Sequence, residues 1–230
     1  MLGLVLSALF LAGPLGAQAY EGSACKEGNV SIKKLIRTGT MKDMPLGLGI
    51  TGDADGWSTS FLKAEGSPPA RMPDYDVELD GDMDIHDWTC MFSAFRSFDK
   101  NEDTAWSEGV KGPGIGETLI VPLESNSPNI RIRPGFAQSD GLFKANNRPK
   151  KVRLYLLKAG NREATQIGLI YSNWTVLSSK EFVLKDKNAW QTLTLPAAGP
   201  EGDSLFLAIE ILSVYPGSKY DDTLISEVMN

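Results

Sequence analysis

The chain has 230 residues, a net charge of −6, two cysteines and a single histidine. That length suits one large β domain, or one domain with an embellishment. The mild acidity argues against a nucleic-acid ligand, which wants a basic footprint, and one histidine excludes a multi-histidine zinc centre. Residues 1–19 read MLGLVLSALFLAGPLGAQA, an apolar run from Leu2 to Ala12 broken by Gly13 and Pro14, with Ala17-Gln18-Ala19 behind it. This is the pattern of a signal peptide with an A-x-A cleavage site, although its n-region carries no Lys or Arg. A buried N-terminal helix is the alternative. The run is too short to span a bilayer, and no other stretch is long and apolar enough. Residues 20–230 would then form one exported, secreted or periplasmic, domain. An exported chain with two cysteines invites a Cys25–Cys90 disulfide; two free buried thiols are the alternative.

Val30–Ile36 has β-branched and apolar ends around a lysine pair and reads as a first strand. Residues 40–90 differ in character. They hold eleven acidic residues against three basic ones, a local charge of −8 that leaves +2 for the rest of the chain. With six glycines and four prolines besides, they read as an acidic, loop-rich insertion, and a loop that long is rare unless it has a job or is tied down. Within it, Asp74–Asp87 alternates acidic and apolar residues with period two, as a strand or hairpin with one acidic face would. A sharper reading puts Asp76, Glu78, Asp80, Gly81 and Asp87 at the ligand and turn positions of a calcium loop. Glu at the third position, Asp at the twelfth and the lack of flanking amphipathic helices speak against it.

From Glu117 the chain reads as β structure. The strand candidates are Glu117–Leu123, Asn129–Arg133, Lys151–Leu157, Gln166–Tyr171, Lys180–Leu184, Trp190–Leu195 and Leu205–Leu212. Turn formers, Ala159-Gly160-Asn161 among them, separate these runs, and seven or more strands at this spacing suggest an antiparallel sandwich. In Lys151–Leu157, Val152, Leu154 and Leu156 would face the core while Lys151, Arg153 and Tyr155 face out. The basic run Arg148, Lys150, Lys151, Arg153 is most simply a solvated face. Gly112, Gly114 and Gly116 precede a strand and not a helix, so they serve a tight lead into it and not a phosphate site.

Three stretches, DKNEDTAWSEGVKGPGIGE (99–117), GFAQSDGLFKANNRPKKVRLYLL (135–157) and VYPGSKYDDTLISEV (214–228), resemble the bacterial discoidin-like NADase-type glycan-binding domain, a relative of the galactose-binding jelly rolls. The resemblance covers about residues 90–230 and implies an all-β antiparallel sandwich, a jelly roll that binds carbohydrate or another surface ligand with loops at one end. It also implies a structural Ca2+ where the 99–106 turn meets a glutamate near the C-terminus, with Asp99, Asn101, Thr104 and Glu227 as candidate ligands. All four are oxygen donors. Lys100 stands where the family usually has Gly, and Asn101 replaces an Asp; a turn that satisfies its own backbone is the alternative. For the sugar, His86, Trp88 and Asn146 are the nearest counterparts of the site in galactose-type relatives. Trp57, Phe61, Phe136, Phe143, Tyr171 and Trp174 also lie in or beside loops, while Trp106 and Trp190 look like core.

The chemistry of an enzyme is hard to find. No GxSxG elbow and no HExxH is present. The NADase of the family name belongs to a separate catalytic domain, so no NADase activity is inferred. The reading is a non-catalytic binding module for a glycan or cell-surface ligand. The alternatives are a structural or protein-interaction module using the 40–90 insertion, and a hydrolase using its carboxylates.

Overall fold

A computed structural model describes residues 25–26, 28–49, 56–64, 88–124, 127–195 and 204–230. The expected signal peptide and the Asp74–Asp87 run, His86 included, lie outside the described residues.

Among the described residues, ten strands form two antiparallel sheets. β1 (Thr40–Met41), β2 (Leu46–Gly49), β4 (Thr118–Pro122), β6 (Arg148–Ala164), β7 (Gly168–Val183) and β9 (Leu205–Tyr215) make one. Its order is β1-β7-β6-β9-β4, with β2 also paired to β7. β3 (Trp106–Ser107), β10 (Leu224–Met229), β5 (Asn129–Pro134) and β8 (Gln191–Thr194) make the other, in the order β3-β10-β5-β8. The chain is thus an all-β antiparallel sandwich, as the strand spacing anticipates. Its core runs through Leu119, Ile120, Ile130, Ile132, Val152, Leu154, Phe206 and Ile209, all but removed from water.

The stretch expected as the first strand is instead helix α1, Ser31–Thr38. Ile32 and Leu35, three residues apart, are fully buried, while Lys33 and Lys34 are exposed. The same residues satisfy a 3.6-residue period. Asn29 Oδ1 accepts the Ser31 N–H, and Gly39 (φ 80) closes the far end with its N–H on Leu35 O. A second, short helix α2 spans Asp140–Ala145, with Ser139 Oγ accepting the Leu142 N–H.

Two expected strands, Gln166–Tyr171 and Lys180–Leu184, are parts of one strand, β7. Its centre, SNWTVLSS, is polar in composition, but Trp174 and Val176 alternate inward between hydroxyls. Ala159-Gly160-Asn161 is no turn either. It sits within β6 opposite Asn173, whose φ of 59 marks a local irregularity, and a Cβ on Gly160 would come 2.6 Å from Asn173 Nδ2. The turn falls at Thr165–Ile167, where the Thr165 N–H donates to Gly168 O.

Residues 40–49 and 56–64, part of the expected insertion, contribute to the sandwich itself. Trp57, Tyr171 and Trp174 pack on Phe206 or on one another, with ring centroids 4.8 to 6.5 Å apart. The indole of Trp57 donates to Gly47 O at 2.6 Å and that of Trp174 to Met44 O at 2.7 Å. These aromatics, with Phe61 and Phe143, are buried core or anchors, not loop platforms. Trp190 is the reverse case: expected in the core, it is half-buried at the surface. Tyr155, expected outward, is buried, with its hydroxyl donating to Glu210 Oε2 at 2.7 Å. Cys25 and Cys90 form a disulfide across 65 positions, and the Cys25 N–H donates to Thr89 Oγ1.

Candidate functional site

The 99–104 turn is organised by its own side chains. Asp99 Oδ1 accepts the Asn101 N–H, and Asn101 Oδ1 accepts the Asp103 N–H, each at 3.0 Å. Lys100 between them has φ 67, the left-handed region a glycine would occupy without strain. Thr104 Oγ1 lies 3.0 and 2.8 Å from the two Asp99 carboxylate oxygens and 2.9 Å from Asn101 O. A hydroxyl has one proton to give, so acceptors outnumber donors at this point. Trp106 anchors the turn, its indole donating to Ser60 O at 3.0 Å.

Glu227, on β10, completes the group. It is 1% exposed, and neither carboxylate oxygen makes a hydrogen bond of normal geometry. Burial first, then the charge of Asp99, pushes its pKa up to about 8, although the nearby N–H groups of Val228, Lys100 and Asn101 pull it down. Burial likewise raises Asp99, against the hydrogen bonds of Thr104 and Asn101 and the charge of Arg96. Among the described residues no cluster of three or more His, Cys, Asp or Glu is placed to hold a metal. A cation here would rest on two carboxylates, the Thr104 hydroxyl and backbone carbonyls. The orphaned Glu227 oxygens and the all-oxygen donor set fit a hard cation. Asn101 fits through its carbonyl, since its side-chain oxygen is already used by Asp103.

The three family-like stretches interlock at one end of the sandwich. Glu108, fully buried, accepts the Val110 N–H with Oε2 and the Thr223 N–H with Oε1, tying the glycine loop to the 214–223 loop. Thr223 Oγ1 donates to Pro113 O at 2.9 Å. Asn147 Oδ1 accepts the Gly217 N–H at 2.6 Å, and its amide donates to Asp221 O. Arg148, expected on a solvated face, is buried. Its guanidinium forks onto Asp186 and donates to Asn146 O and Pro216 O. Gly112, Gly114 and Gly116 all have positive φ, and a Cβ on Gly114 would run into the Glu108 side chain. The glycines thus serve the tight lead into β4.

Of the expected sugar ligands, His86 lies outside the described residues. Trp88 is half-buried in the helical stretch that leads to Cys90. Asn146 is buried, and its amide donates to Leu142 O at the end of α2, so it finishes a helix. Of these three, the structure describes Trp88 and Asn146 alone. It adds two acids that sequence reasoning passed over, Glu108 and Glu117. Burial pushes Glu108 up to about 7 despite the Val110 and Thr223 hydrogen bonds. Burial would raise Glu117 too, but hydrogen bonds from Lys33, Ser60 and Thr59 hold it below the usual range. The only hint in the sequence is that both acids flank the glycine run.

Two sheets, interlocked end loops and an oxygen-lined turn under the last strand define a discoidin-like β-sandwich. The chain belongs to the NAD glycohydrolase translocation F5/8 type C domain family, whose model matches residues 83–230. Among solved structures, it is similar to the family 32 CBM from C. perfringens NanJ in complex with galactose, at 16% identity and a TM-score of 0.36, over 80% of this chain and 97% of that one. It is also similar to a Ruminococcus gnavus GH29 fucosidase mutant in complex with fucose, at 9% identity and a TM-score of 0.27, over 60% of this chain and 22% of that one. No curated protein matches the chain.

Proposed function

We propose that the chain is an exported, non-catalytic binding module that recognises a glycan or cell-surface ligand through the loops at one end of the sandwich. One observation carries this reading. The loops are fixed by buried hydrogen bonds yet leave Tyr220, Ile115 and Val110 at 41%, 52% and 38% exposure. Apolar groups held on a rigid polar frame are what the apolar face of a sugar needs. Membership of a discoidin-like family supports the same reading. Export is supported by the disulfide, a feature of oxidising compartments. A non-catalytic role is supported by the state of Glu108 and Glu117. Both are sealed from solvent with their oxygens hydrogen-bonded, so neither reaches a substrate proton.

A structural Ca2+ held by Asp99, Thr104, Glu227 and the Asn101 carbonyl belongs to this proposal. It would neutralise two buried carboxylates and lock the turn over the four-stranded sheet. The test of the main reading is a glycan array probed with the whole chain. Binding to a defined glycan set, weakened at least about tenfold by Tyr220→Ala without loss of thermal stability, is expected. No glycan bound, with recovery of one specific protein by affinity capture, would instead support the protein-interaction reading.

A further inference from the structure

The outer face of the four-stranded sheet carries a second assembly, away from the interlocked loops. Trp190, just before β8, donates its indole N–H to Glu102 Oε1 at 3.1 Å. The other oxygen of the same carboxylate lies 3.4 Å from Arg133 Nε. Glu102 belongs to the 99–104 turn, so that turn fixes the indole ring. Arg131 then stacks on the ring, its guanidinium carbon 4.5 Å from the ring centre. In register, Arg131 lies between Met229 of β10 and Thr192 of β8. All three are exposed.

The charges on this face are unevenly matched. Arg133 and the indole are held by Glu102. Lys100 pairs with Glu124 on the neighbouring rim. Among the described residues the Arg131 guanidinium has no hydrogen-bond or ion-pair partner, and it stacks on the Trp190 ring. A guanidinium stacked on a fixed aromatic keeps its planar fork of N–H donors free at the edge, already oriented for a planar or tetrahedral anion. Beside it stand the Thr192 hydroxyl, the Asn129–Thr194 hydrogen-bonded pair and the Met229 thioether. That combination offers one anion fork, hydroxyl-matching polar groups and an apolar strip within two neighbouring cross-strand rows.

We infer that Arg131 and Trp190 form a binding site for an acidic saccharide, one bearing a carboxylate or sulfate group, with Glu102 as the positioning residue that holds the ring. The inference rests on the glycan-binding reading above and deepens it by naming a ligand class and a second surface. The anion bridges the two outer N–H groups of Arg131, the sugar ring lies along Met229, and Thr192 meets a ring hydroxyl.

The experiment is calorimetric titration with sialyllactose, a chondroitin sulfate disaccharide and lactose, on the unaltered chain and on Arg131→Ala, Arg131→Lys and Glu102→Ala. The acidic sugars are expected to bind more tightly than lactose and to weaken as salt is raised. Arg131→Ala should weaken the acidic sugars by roughly tenfold to a hundredfold. Arg131→Lys should recover only part of this, because it keeps the charge and loses the fork. Tryptophan fluorescence should respond to the acidic sugars and lose that response in Glu102→Ala, which removes the acceptor of the Trp190 indole. Thermal melts report whether each variant folds, and the exposed position of Arg131 leaves the core intact. Equal affinity for acidic and neutral sugars, or acidic-sugar binding untouched by Arg131→Ala, overturns this inference and leaves the glycan reading standing. Absence of binding to any sugar, here and on the array, overturns both. Binding only to anionic lipid vesicles or to a phosphopeptide also overturns it.

Discussion

Lys100 and Glu227 show how much one position can carry. Lys100 holds a left-handed backbone at a site that asks for glycine. Lys100→Gly should stabilise the chain by roughly 0.5–1 kcal/mol, read as a higher midpoint in urea with an unchanged slope. Glu227 has a folded pKa of about 8, above its ordinary 4.5, so the folded chain binds the proton more tightly than the unfolded one. Stability contributed by the neutral form is therefore present at low pH and lost as pH rises through that window. Glu108, raised to about 7, acts in the same direction. Glu117 acts in the opposite direction, since its lowered pKa stabilises the fold above the carboxylate range and that contribution is lost in acid. With a chelator present, the melting temperature should fall between about pH 5 and pH 8, and Ca2+ should oppose that fall most strongly at the alkaline end. Glu227→Gln should raise stability at pH 8 in chelator by about 1–3 kcal/mol and abolish the response to Ca2+. A melting temperature indifferent to both pH and Ca2+ would remove the cation from the account.

At the scale of elements, strands with clean alternation were legible and mixed ones were not. Asn129–Arg133 and Leu205–Leu212 stand out because a buried β-branched or Leu side chain recurs at every second position or fills the run. The first helix was not, because the β-branched Val30, Ile32 and Ile36 favour a strand by residue type. The spacing of Ile32, Leu35 and Ile36 at i, i+3 and i+4 is helical, and the helix buries Ile32 and Leu35 in the core. The middle of β7 was missed because serine, threonine and asparagine dominate it, and the two inward residues are diluted. Trp190 and Tyr155 were misjudged for a shared reason: exposure depends on the distant side chain that meets the ring, Glu102 for the one and Glu210 for the other, and sequence does not report it. The disulfide was legible, since two cysteines in a chain read as exported leave one pairing. It closes a long loop, so Cys25→Ser should cost about 4 kcal/mol under non-reducing conditions, measured by urea unfolding. Asn147→Ala should cost about 1–3 kcal/mol by the same measure, because Gly217 N–H and Asp221 O lose their partner in a largely buried place.

For the whole molecule, the sequence motifs and the site divide in an instructive way. The residues that carry the family resemblance, Glu108, Asn147, Arg148 and Thr223 among them, are mutually hydrogen-bonded and buried. They hold the loop end together, and the ligand would meet the exposed side chains between them. That is why the motifs identify the fold and leave the ligand open, and why the candidate sugar ligand Asn146 proved to be a helix terminus. Charge is distributed over the molecule in a matching way, with −8 confined to residues 40–90 and +2 over the remainder, Arg131 included. The central claim is that the sandwich binds sugar through its end loops, and a glycan array with unaltered protein and Tyr220→Ala tests it most directly. Selective binding to a defined glycan set, lost or weakened at least about tenfold in Tyr220→Ala, is the predicted result. Binding to no glycan, or glycan binding indifferent to Tyr220→Ala, would contradict it.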